Sequence, residues 1–202
     1  MLRLGWQVYR AHVTDVVSVT RVRRAVLVGA IAALVAAAAM AALDLAFLWA
    51  GPGTARAATA ITLLSLGVGL AAFGCCPLAR PVEPAATING RQVRPDTART
   101  VRTSVQQYLD RRMPEVRPEH REAVLTDTLL YRRGLIRDAT RGTPPLVGGL
   151  LAGLAAVLLG ASGIVPLWPV IYVGYAVTTL QRLGRAERAR RAAESTRPVV
   201  TA

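Results

Sequence analysis

Residues 25–50 read AVLVGAIAALVAAAAMAALDLAFLWA, an apolar run in which Asp44 is the one charged side chain. A helix rises ~1.5 Å per residue, so this run exceeds the roughly 20 residues that cross the ~30 Å hydrocarbon core of a bilayer. Outward from it, residues 57–79 carry no charge, and neither do residues 142–181, GTPPLVGGLLAGLAAVLLGASGIVPLWPVIYVGYAVTTLQ. That second stretch is long enough for about two crossings, and Gly160, Ala161, Ser162 and Gly163 supply a turn between them. The expected fold is an all-α membrane protein. Its four transmembrane helices, at residues 25–50, 57–79, 145–162 and 164–181, pair as two hairpins spanning 25–79 and 144–181.

Composition agrees with that class. The chain has 202 residues, of which 52% are hydrophobic and 18% charged, too few charges for an ordinary soluble domain. The run at 25–50 is too long and starts too far in for a cleavable signal peptide, so it is expected to remain. All 25 basic residues are Arg and Ala is abundant, which reads as a high-GC bacterial source.

The net charge of +13 invites a nucleic-acid reading, but its distribution argues against one. Five Arg precede residue 25, Arg56 stands alone between the first two spans, thirteen lie from Arg80 to Arg141, and six follow Gln181. The positive-inside rule therefore places residues 1–24, 80–143 and 182–202 in the cytoplasm of a bacterial plasma membrane protein, with both ends inside. An odd number of spans would strand one Arg-rich segment outside.

In residues 1–24, Trp6, Tyr9, Val13, Val16, Val17 and Thr20 recur at helical spacing, as in an amphipathic helix lying in the membrane interface. In the spans, Gly29, Ala33, Ala37 and Ala41, then Gly67, Ala71 and Cys75, then Gly149 and Gly153, form small faces that let backbones approach. Pro166, Trp168 and Pro169 mark the start of the fourth span.

Residues 80–143 should be a two-helix segment with a short β-hairpin at its start. Asn89 and Gly90, between Thr87–Ile88 and Arg91–Val93, are the dipeptide a type I′ turn prefers. One helix is expected from about Asp96 to Met113. A second begins at Pro118, with Glu119 and Glu122 in its first turn, and runs to about Arg141. Such a segment buries little core alone, so it needs the membrane interface, a second copy or a different protein. Val101, Val105, Tyr108, Val124, Tyr131 and Leu135 form the expected docking face.

Asp44 is the candidate functional acid within a span, because a charge there is costly. Its depth, within a turn or two of the outer surface, favours contact with outer headgroups or with Arg56 instead. Arg21, Arg23 and Arg24 before the first span, and Arg182, Arg185 and Arg188 after the last, are placed to meet anionic lipid headgroups. The adjacent Cys75 and Cys76 and the isolated His12 and His120 suit neither a disulfide nor a metal set.

No nucleophile elbow, phosphate-binding loop, zinc-protease helix or dinucleotide fingerprint is present, so no catalytic residue or cofactor is assigned. The expectation is a non-enzymatic scaffold or accessory subunit that presents its cytoplasmic helices to a protein partner or to another copy of itself. Two alternatives are weighed: a small oligomeric transporter or channel using Asp44, and a membrane enzyme acting on lipid.

Overall fold

The structure is a computed structural model that describes residues 1–51, 53–80, 86–88, 91–93, 101–160 and 167–196. In chain order the elements are α1 (Leu2–Val16), α2 (Val19–Phe47), α3 (Thr54–Cys75), β1 (Ala86–Ile88), β2 (Arg91–Val93), α4 (Thr103–Gln106), α5 (Arg121–Leu158) and α6 (Leu167–Ser195). Single 3-10 turns cover Gln107–Leu109 and Pro118–His120. The protein is thus largely helical, and among the described residues three helical stretches, Val19–Phe47, Thr54–Cys75 and Pro118–Leu158, are long and apolar enough to cross a membrane. The expected fourth span begins at residues outside the described set, as does the turn at Ala161–Gly163.

The chain divides into two compact units. One comprises Ser18–Leu78 and Ala139–Ala176, and α2 and α3 pack together within it. Their crossing is made by glycine. A Cβ at Gly29 would stand 2.8 Å from the Gly69 carbonyl oxygen, and one at Gly69 would stand 2.7 Å from that of Gly29. The opposite face of α3 meets α5 in the same way, with Gly67 and Gly148 each against the other's carbonyl. Without side chains at these points the backbones come close enough for dispersion contact, the main attraction available where lipid gives no hydrophobic drive. Large apolar side chains of α2 point outward instead: Leu27, Ile31, Leu34 and Leu45 are all exposed.

Helix α5 runs through Pro144 and Pro145 rather than stopping near Arg141. The Pro145 ring and the Arg141 carbonyl lie against Gly74 of α3, where any side chain would collide with the ring. A proline costs a helical hydrogen bond and crowds the preceding turn. Here a neighbouring glycine makes room for it.

The other unit gathers Met1–Val17, Ala79–Asp138 and Val177–Ala202. Its core joins Val8 of α1 to Tyr131, Leu135 and Ile136 of α5 and to Leu183 and Ala186 of α6. A second cluster joins Val105, Tyr108 and Val116 to Val124 of α5 and to Ala189 and Ala193 of α6. The central segment is therefore completed by the chain's own first and last helices, a solution the sequence reading did not include. Residues 182–202, expected to be a basic tail, are helical through Ser195. At Val17 the chain is extended and bridges Ala79, with the Arg80 amide donating to the Val16 carbonyl at 2.9 Å.

β1 and β2 are antiparallel, pairing Ile88 with Arg91, as the hairpin reading requires. The turn residues Asn89 and Gly90 lie outside the described residues. Of the helix expected over Asp96–Met113, residues 96–100 lie outside the described set; among the described residues 101–113 only Thr103–Leu109 is helical. Two side chains compete for the backbone on either side of it. Asp127 accepts the Arg102 amide at 3.0 Å, and Arg188 donates to the Asp110 carbonyl at 2.6 Å.

Candidate functional site

Asp44 sits near the end of α2, and its environment is local. Its Oδ1 accepts the Ala50 amide at 2.9 Å, and its carbonyl accepts that of Leu48 at 2.8 Å. Leu48 is left-handed, with φ of 50°, a conformation that costs a branched residue about 1–2 kcal/mol. The carboxylate holds that turn closed. No ion pair joins Asp44 to Arg56 among the described residues.

Of the expected headgroup contacts, Arg23 and Arg24 are exposed on the first turns of α2, Arg21 is half-buried, and Arg182 is exposed on α6. Arg185 is half-buried, and Arg188 is committed to the carbonyls of Asp110 and Arg111. Arg188 thus fastens the segment after α4 to α6.

The expected docking face is closed. Val105, Tyr108, Val124, Tyr131 and Leu135 are buried, and Val101 packs against them from the edge. Helix α1 is drawn into the same core: Leu4, Val8, Val13 and Val16 turn inward, while Trp6 stays exposed and stacks on Tyr9 with centroids 5.7 Å apart. These apolar side chains are covered by the chain's own helices. The signal that could have revealed this was present in α6, where Leu183, Ala186, Ala189 and Ala193 recur at helical spacing beneath the arginines.

Polar groups missed in the sequence organise this unit. Arg102 holds Asp127 with both its guanidinium and its amide, the guanidinium contact being 2.9 Å, and this pairing raises the Arg102 pKa. Tyr108 and His120 share a hydrogen bond of 2.9 Å between the phenol oxygen and Nδ1. Arg121 of α5 donates from Nε to the Ala193 and Thr196 carbonyls, both at 3.1 Å, capping the end of α6.

The densest charge cluster lies between α5 and α6. Glu187, its side chain 8% exposed, receives Arg191 Nε at 3.0 Å and Arg132 at 3.5 Å, with Arg190 Nε at 3.6 Å. The Arg132 side chain is 9% exposed. Its pKa is lowered first by burial and then by Arg190, with Glu187 opposing.

Cys75 and Cys76 are both free thiols. Among the described residues no group of three or more His, Cys, Asp or Glu is placed to hold a metal ion. Comparison with family models, with curated proteins and with solved structures finds no match to this chain.

Proposed function

We propose that this chain is a non-enzymatic membrane scaffold or accessory subunit. Its four spans pair as two hairpins in a bacterial plasma membrane, and both ends of the chain are cytoplasmic. One observation carries this reading: Met1–Val17, Ala79–Asp138 and Val177–Ala202, which hold most of the arginines, assemble into one compact unit. Segments that share a core share a side of the membrane, so the stretches between them cross an even number of times. The arginine excess puts that side in the cytoplasm.

With the apolar face closed, what remains for a partner is the unit's exterior. Arg111, Arg112, Arg133 and Arg137 are exposed on it, which suits a protein with an acidic surface. The transport reading has less support, because its main residue, Asp44, is engaged in closing the turn after α2.

Native mass spectrometry of protein extracted gently with its lipids tests the proposal. A stoichiometric foreign protein, lost in an Arg133→Glu/Arg137→Glu variant, is the expected result. A closed homo-oligomer with no foreign protein, together with a transport phenotype abolished by Asp44→Asn, would replace this reading with the transporter.

A further inference from the structure

The cluster around Glu187 does not balance. Three guanidinium groups, of Arg132, Arg190 and Arg191, surround it, and among the described residues the only other carboxylate paired within the group is Glu194, 3.2 Å from Arg190. One positive charge is left in excess. Arg132 has five donors, and its one hydrogen bond is a long 3.5 Å contact to Glu187. The Nε atoms of Arg132 and Arg190 are both buried without an acceptor. Burying a guanidinium is costly unless its charge and its donors are met, and here one carboxylate, Glu187, is shared among three guanidinium groups while two Nε donors go without an acceptor.

The cluster also has an open edge. Arg190 is 30% exposed and Arg191 62%, while Glu194 is 49% exposed. A partly exposed pair such as Arg190–Glu194 is weakened by water, so Arg190 is held only weakly away from a better acceptor.

We propose that Arg132, Arg190 and Arg191 form a binding site for a phosphoryl oxyanion. A tetrahedral phosphate offers oxygens in several directions and so matches guanidinium groups arriving from two helices. The ligand supplies the missing negative charge and draws the Arg190 side chain off Glu194, which opens the buried donors to it. Free phosphate and a lipid phosphate carry the same chemistry and are distinguished by experiment. The site lies wholly within the Arg-rich unit and does not depend on the scaffold reading.

The test is thermal unfolding of the full chain in an uncharged detergent, with inorganic phosphate compared with chloride at equal ionic strength, and then in nanodiscs with and without phosphatidylglycerol. Phosphate is expected to raise the midpoint where chloride does not. Arg190→Gln should weaken that response about tenfold, whereas Arg117→Gln, an exposed control, should leave it unchanged. Arg132→Gln should abolish it, and Arg190→Gln keeps the test readable if that variant does not fold. Stabilisation by phosphatidylglycerol alone, lost in Arg190→Gln, would assign the site to a lipid phosphate. Equal responses to phosphate and chloride with no lipid effect, or a response that survives Arg190→Gln, would overturn the proposal.

Discussion

The two units are built from the same kind of helix and turned inside out relative to each other. In the Arg-rich unit the fully buried side chains include large ones, Tyr108, Ile136, Leu183, Val105 and Val124, set against Ala186, Ala189 and Ala193 of α6. In the apolar unit the buried positions are small apart from Leu78 at its edge, among them Ala25, Gly29, Ala60, Gly67, Gly69 and Ala155, while many Leu, Ile and Val side chains face outward. A core of large side chains forms where water drives them together. Small residues at the contacts and large ones outside form where the surroundings are themselves apolar. The difference therefore reports two solvents along one chain, and it can be broken or sharpened residue by residue.

The largest effect is expected in the Arg-rich unit. Ile136→Ala removes a fully buried side chain and should cost about 2–5 kcal/mol, read as lost protection of that unit's amides in hydrogen exchange. Next comes Gly69→Ala, whose new methyl would meet the Gly29 carbonyl and force α2 and α3 apart. We expect about 1–3 kcal/mol from overpacking, measured as a lower melting midpoint in nanodiscs. If Gly69→Ala were neutral, the glycine crossing would not be what holds these helices.

Asp127→Ala should be milder, about 1–2 kcal/mol, because the Arg102 guanidinium is open to water and only its amide is left without an acceptor. Asp127→Asn should recover part of the loss. The smallest effect is expected at Leu34, 71% exposed: Leu34→Ala should change stability by less than ~0.5 kcal/mol in a bilayer. A large loss there would mean that α2 packs on something other than lipid, a second copy being the first to seek.

The sequence made the apolar unit more legible than the other. A bilayer imposes a minimum length, so residues 25–50 and 57–79 announce α2 and α3, and Pro118 with Glu119 and Glu122 announces the start of α5. The end of α5 was hidden because two prolines ordinarily stop a helix, and the glycine that accommodates Pro145 lies far away in the chain. The glycine faces were half-read: Gly29 and Gly67 were recognised, while their partners Gly69 and Gly148 were not.

The candidate site was less legible still. Tyr108, Val124 and Leu135 were identified as an apolar face for docking a partner, but what covers them comes from α1 and α6, and a local pattern carries no register between segments so distant. Asp44 drew attention by its charge, yet its bond to Ala50 depends on a left-handed turn at Leu48 that no periodicity foretells. The Arg132–Glu187 cluster was invisible for the same reason, each member reading as one more surface charge.

The central claim, that the Arg-rich segments form one unit on one side of the membrane, is tested most directly by site-specific labelling. In a Cys75→Ser/Cys76→Ser background, single cysteines at the exposed positions Gln7, Glu119, Glu194 and Gly53 would be treated with a membrane-impermeant maleimide in intact and in opened bacterial cells. Gln7, Glu119 and Glu194 should all label only after opening, and Gly53 should label in intact cells. Labelling of Gln7 and Glu194 from opposite sides of the membrane would contradict the account.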